Sequence, residues 1–184
     1  MNETNDLARP DTRVLDTSAD VSEAKGLPDL VGAIPVAAAP VLWTLRHIRT
    51  DEDMRASLSF ILSTWSDSYH DGSREVQHLA FRRYRDRMHK RIDRTLRRPQ
   101  TIVVVASLPD DPTHLLGYLV HEEGTLHYVY VRPARRRYGL ATALLEHWLS
   151  SCPAVEASHD TKQGAKIIRA LNMTYNPLAV EGAE

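Results

Sequence analysis

Arg135, Arg136 and Arg137 stand in a row just ahead of Tyr138, Gly139, Leu140, Ala141 and Thr142. Before them runs Thr125 to Val131, rich in β-favouring residues and closed by Arg132 and Pro133. After them Leu140, Leu144, Leu145 and Trp148 recur at helical spacing. A strand therefore enters a basic turn that opens into an amphipathic helix. The first turn of such a helix has amides without intrahelical acceptors, and the positive end of the helix dipole lies there. Gly139 and Ala141 keep bulk away from those amides, and Thr142 adds a hydroxyl. The arginines add charge suited to a diphosphate. The chemistry implied is anion binding, of the kind that holds a nucleotide or coenzyme phosphate.

A second charged feature lies upstream. Residues 74–98 carry ten arginines and lysines against Glu75, Asp86 and Asp93. Phe81, Tyr84, Met88, Ile92 and Leu96 form an apolar stripe three or four residues apart. The opposite face is cationic. It suits nucleic acid, an acidic protein, the chain's own acidic N-terminal segment, or simply solvent.

Other elements follow from periodicity and punctuation. Val41 to Arg49 reads as a strand, and Thr50 to Asp53 supplies an N-cap and acidic first turn. Met54, Leu58, Ile61, Leu62 and Trp65 mark a helix that Ser66 to Gly72 should break. A longer helix is expected from Ser73 to Arg97, stopped by Pro99. Thr101 to Ala106 reads as a strand buried on both faces, and Leu115 to Val120 as its partner. Glu123-Gly124 makes a hairpin into the strand 125–132. After the 138–150 helix come a short strand at 153–157, a helix at 162–171 and a weak strand at 174–180 interrupted by Pro177. The expected order is β-α-α-β-β-β-α-β-α-β.

The chain has 184 residues, 42% of them hydrophobic and 26% charged, with a formal net charge of -1. That sum excludes bulk attraction to nucleic acid or membrane. Residues 1–40 hold seven acidic residues against three basic ones and four prolines, and read as a flexible acidic tail. Residues 41–184 form the expected domain. Cys152 is the single cysteine, so no intramolecular disulfide forms. This fits a reducing compartment, and Cys152 reads as a buried or incidental thiol. No apolar run approaches a membrane span, and Met1 to Asp6 lacks the order of a signal peptide. A cytoplasmic location is expected.

Arg136-x-x-Gly139-x-Ala141 resembles the Q/R-x-x-G-x-G/A motif of the GNAT superfamily of acyl-CoA-dependent acyltransferases. Tyr130-Val131-Arg132-Pro133 is similar to the strand end that leads into that motif, and the element order from Trp43 to about Tyr175 matches. The resemblance implies an α/β fold with a mixed central sheet flanked by helices. It implies acetyl-CoA as cosubstrate, no metal, and direct attack by an acceptor amine. Amides around Arg137, Tyr138, Gly139, Leu140, Ala141 and Thr142 would cradle the diphosphate, with Arg136 beside them. Val129, Tyr130 and Val131 would line the pantetheine arm, with an amide near Val129 polarising the thioester carbonyl. His127 becomes the candidate base on the fourth strand, sharing a face with Thr125, Val129 and Val131 if no bulge intervenes. Glu122 and Glu123 are its alternatives. The family's usual acid is a tyrosine before a Gly-Phe pair. Here Ile168 or Arg169 falls at that place, and Tyr175 is the nearest stand-in. Trp65, Ser68 and Tyr69, on the expected loop between the first helices, could line an acceptor pocket or cap the core. The acceptor would be an amine-bearing small molecule or protein. A homodimer and a nucleic-acid or acidic partner on the basic helix are further options. A non-catalytic binding or assembly module on the same fold is the alternative function.

Overall fold

The computed structural model describes residues 43–48 and 51–180. The expected tail over 1–40 and the expected cap at Thr50 lie outside them. The order of elements is β1 (Thr44–His47), α1 (Asp51–Gly72), α2 (Phe81–Leu96), β2 (Ile102–Leu108), β3 (Asp111–Glu122), β4 (Thr125–Val131), α3 (Leu140–Leu149), β5 (Glu156–Ala157), α4 (Gly164–Ala170) and β6 (Thr174–Tyr175). Short 3-10 turns at Pro133–Arg135 and Pro177–Val180 flank α3 and close the described chain.

The strands form one six-stranded mixed sheet in sequence order. β1 to β4 are antiparallel to their neighbours, while β4, β5 and β6 run parallel. The parallel steps are bridged by α3 and α4, as parallel pairing requires a crossover. β2 is apolar from Ile102 to Ala106 and buried from Val103 to Ser107, because both its faces are covered there. Val103 and Val105 join Tyr118, Val120 and Tyr128 against α1 and α2. Val104 and Ala106 join Leu116, Leu119, Leu126 and Val131 against Leu140, Leu144 and Trp148 of α3.

Several boundaries differ from the sequence expectation. α1 does not break at Ser66 but runs on to Gly72. Ile61, Trp65 and Tyr69 are four apart and all buried, so the apolar stripe continues through the polar run. The polar residues stay helical by bonding back along the helix: Ser63 to Ser59 O, Thr64 to Phe60 O, Ser66 to Ser63 O. Each fully buried side chain on that stripe contributes about 1.5–3 kcal/mol, which outweighs the weak helix propensity of serine. α2 is shorter than expected and begins at Phe81. Ser73 caps only a local turn, accepting from the Glu75 amide at 3.3 Å. The β2–β3 hairpin is longer than expected, with Pro109 and Asp110 alone at its tip. β6 is only two residues, since Pro177 cannot donate to a ladder.

Candidate active site

β4 pairs with β5 over two residue pairs only, Thr125 with Glu156 and Leu126 with Ala157. Ser158 N still donates to Leu126 O at 3.0 Å. Beyond that bond no further β4–β5 residue pair forms among the described residues. The remaining length of β4, His127 to Val131, thus has no strand partner on the β5 side.

A bulge decides which groups occupy that side. On β3, Val120 faces Tyr128 and His121 faces Leu126, so His127 is an extra residue with no partner of its own. Arg132 N donates to Leu116 O at 2.9 Å. In an antiparallel ladder alternate residues bond the same neighbour. Tyr128 and Tyr130 therefore turn their backbone toward β3, and Val129 and Val131 turn theirs toward the gap. Val131 O accepts from Arg136 Nε there at 3.2 Å.

The same bulge corrects the expected placement of His127. Its side chain does not share a face with Val129 and Val131, which pack on the α3 side. It lies instead on the face of Tyr128, toward α1 and α2. His127 is fully buried, at 1% exposure. Its Nδ1 is 2.9 Å from Ser158 Oγ. Its Nε2 is 3.3 Å from Glu122 Oε1, close but out of line for a hydrogen bond. Burial lowers its pKa, and Glu122 offsets part of that. Burial would raise the Glu122 carboxyl, but Thr101, His127 and Arg98 outweigh it and hold it below the usual range. Thr101 donates to Glu122 at 2.9 Å, and Arg98 at 3.4 Å. Glu123 stays exposed at the hairpin.

The head of α3 is built differently. Gly139 is its N-cap with φ of 82°, and Arg137 also has positive φ, at 68°. These left-handed residues turn the chain sharply out of the Pro133–Arg135 turn and into the helix. A glycine suits such a position because it has no Cβ to clash. Ala143 N to Gly139 O, at 2.9 Å, is the first bond into the helix. The amides of Leu140, Ala141 and Thr142 precede it and have no intrahelical acceptor. Arg136, Arg137, Tyr138 and Gly139 are exposed, and a Cβ added at Gly139 would meet nothing within 4 Å. Unpaired amides, positive dipole end, arginines and open space fit a diphosphate. The strand edge at Val129 and Val131, without a strand partner, fits an extended, amide-bearing arm.

Trp65 and Tyr69 are buried core side chains rather than walls of an open loop. The Trp65 ring stacks on Tyr128 at 4.8 Å. Ser68, on the next turn, bonds the Tyr128 hydroxyl at 2.8 Å and also Thr64 O. Tyr175 donates to Glu75 Oε1 at 2.7 Å, and Tyr69 donates to Glu75 Oε2 at 2.9 Å. Burial, then Glu75, raises the Tyr175 phenol well above its usual value. That proton is held by a carboxylate rather than offered to a leaving group. On the basic helix Arg82, Arg83, Arg87, Lys90 and Arg94 are exposed, while Arg91 bonds Pro177 O at 3.0 Å.

Ser158 and His159 carry no local signal in the sequence. They matter because β5 ends beside the bulge: Ser158 Oγ lies 2.8 Å from His159 Nδ1 as well as 2.9 Å from His127 Nδ1. His159 is packed edge-on against Trp65 at 5.2 Å and Tyr69 at 4.8 Å.

No family model matches the chain, and no curated protein matches it. Solved structures do. A GCN5-related N-acetyltransferase from Ralstonia eutropha JMP134 is 14% identical, with TM-score 0.52 over 73% of this chain and 94% of that one. A Pyrococcus furiosus protein assigned as an acetyl transferase is 13% identical, with TM-score 0.53 over 73% and 94%. A Clostridium acetobutylicum protein assigned as an acetyltransferase and solved with acetyl-CoA is 11% identical, with TM-score 0.50 over 78% and 95%. At such identities the likeness concerns the fold, and it agrees with the mixed sheet, the flanking helices and the strand–turn–helix found here. The chain has the GNAT fold.

Proposed function

We propose that the protein is an acetyl-CoA-dependent N-acetyltransferase that passes an acetyl group to an amine by direct attack. The carrying observation is the head of α3, whose unpaired amides and arginines open beside the part of β4 that has no strand partner. The thioester would supply an activated acetyl group. The amides of Leu140, Ala141 and Thr142, with Arg136 and Arg137, hold the diphosphate. The edge at Val129 and Val131 orients the arm, and the Val129 amide faces the carbonyl oxygen as charge develops on it. The acceptor is an amine-bearing small molecule or protein, and the setting is cytoplasmic.

Calorimetric titration with acetyl-CoA tests this reading. Saturable binding is expected, and no heat at millimolar acetyl-CoA would sink it. A second reading, a binding module without turnover, is favoured by the Tyr175–Glu75 bond, which withholds the one candidate acid. Thiol release with a panel of primary amines separates the two. Release supports the enzyme and shows that the thiolate departs without Tyr175.

A further inference from the structure

The geometry points to His159 as the proton acceptor of this site, with Ser158 and His127 relaying its proton to Glu122. The inference rests on the N-acetyltransferase reading and adds to it the residues that take the acceptor's proton.

The chain of polar contacts, two hydrogen bonds and one close ion-pair contact, has one sense. Glu122 is a carboxylate held by Thr101 and Arg98, so it presents lone pairs only. His127 Nε2 sits 3.3 Å from it. A nitrogen lone pair there would face the carboxylate's own, so Nε2 carries the hydrogen. Neutral His127 then has its lone pair on Nδ1, and Ser158 Oγ donates to it at 2.9 Å. The serine has one hydrogen and has spent it. At its other contact, 2.8 Å away, it must accept, so His159 Nδ1 carries the hydrogen. The lone pair of His159 is thereby fixed on Nε2. That atom is buried and has no hydrogen-bond partner, and the residue is 7% exposed. An unpaired buried acceptor is unusual enough to need a reason.

The surroundings of that atom suit an amine. Trp65, Tyr69 and Tyr128 pack their rings edge-on around the His159 ring, and such low-dielectric surroundings favour an amine in the neutral form that attacks. Ser158 and His159 follow directly on the last β4–β5 pair, where the strands part. Burial first, then Arg91 of α2 and the His127 ring, disfavour a positive charge on His159, and the His127 backbone offsets only a small part of this. His159 is thus neutral before the reaction.

The step balances simply. The amine nitrogen forms its bond to the acyl carbon while the C–S bond breaks. The nitrogen's surplus proton passes to His159 Nε2. His159 Nδ1–H passes to Ser158, the serine hydrogen to His127 Nδ1, and His127 Nε2–H to Glu122. The thiolate takes a proton from solvent, and Glu122 returns one to solvent. An amide nitrogen is so poor a base that even a weak acceptor removes this proton; the acceptor amine itself must arrive neutral.

Imidazole nitrogen-15 correlation spectra of the full chain test the relay without any acceptor. His127 is expected as the Nε2–H tautomer and His159 as the Nδ1–H tautomer from pH 6 to 8. His159 as the Nε2–H tautomer, or protonated in that range, overturns the relay. Ser158→Ala should leave the acetyl-CoA Kd unchanged within twofold. It should lower the rate of thiol release at least tenfold, with benzylamine or the best amine of the panel as acceptor. A rate within twofold of the parent also overturns the relay, whereas absent acetyl-CoA binding in the parent overturns the transferase reading and leaves the tautomers to be judged alone.

Discussion

The phosphate cradle and the histidine relay lie at opposite ends of the same stretch of β4 without a strand partner, yet they are built in opposite ways. The cradle is local: one stretch of chain, Arg136 to Thr142, supplies its arginines, its left-handed turn and its open amides. It is exposed, and each part works without help from a distant segment. The relay is assembled from β3, β4 and the end of β5, and is sealed beneath α1. Its central atoms, the two Nδ1 nitrogens and the Ser158 hydroxyl, are stable in the interior because each satisfies the next. A change in the cradle should therefore be felt in binding and hardly in stability. A change in the relay should be felt in stability and in its dependence on pH.

Acid is the sharpest way to test that contrast. Burial, then Arg91 and His127, push the His159 pKa from 6.5 down to about 3. The folded chain thus binds this proton more weakly than the unfolded chain does. The stability His159 contributes is whole above pH 6.5 and is lost as pH falls toward 3. Between pH 7 and pH 4 the loss is roughly 3 kcal/mol. Glu122, also lowered, begins to add to it only below 4.5. Urea unfolding across that range should show the decline, and His159→Phe should remove the His159 share of it, leaving the share that the lowered pKa values of buried His127 and His121 contribute in the same range. An unchanged slope in the variant would show that the relay is not the acid-sensitive region. At the other end, Arg136→Ala should leave this pH profile intact. It should weaken acetyl-CoA binding by about 2 kcal/mol, ~30-fold, as a charge-assisted phosphate contact is lost. Calorimetry reads the affinity, and a shifted acid slope would mean the two regions are coupled.

The same difference explains what could be seen in the sequence. The order of elements was legible throughout, because apolar period and turn residues are local. So was the cradle, from Arg136 and Gly139 and the strand before them. His127 was visible as a strand histidine, but its direction was not. The bulge that turns it depends on how Val120 and His121 of β3 register against Leu126 and Tyr128. A one-residue slip reverses a side chain's face, and no spacing within β4 announces it. Trp65 and Tyr69 look like loop residues until Ile61 is seen to extend the buried stripe through them. Ser158 and His159 become meaningful only when a two-residue strand brings them beside His127.

Within the cradle itself the smallest effect is also the most discriminating. Arg137 and Gly139 both have positive φ. Gly139 bears that conformation at no steric cost, while Arg137 pays roughly 1 kcal/mol for a Cβ in the left-handed region. Arg137→Gly should therefore stabilise the chain by up to ~1 kcal/mol less the added backbone entropy of the unfolded state, whereas Gly139→Ala should destabilise it by about the same amount. Since a Cβ at Gly139 meets nothing within 4 Å, its cost is one of backbone strain alone. Thermal unfolding measures both. If Arg137 is held in a strained turn to aim its guanidinium at the diphosphate, the more stable Arg137→Gly chain should bind acetyl-CoA more weakly. Equal or tighter binding would mean that the left-handed turn, and not the arginine upon it, is what the cradle requires.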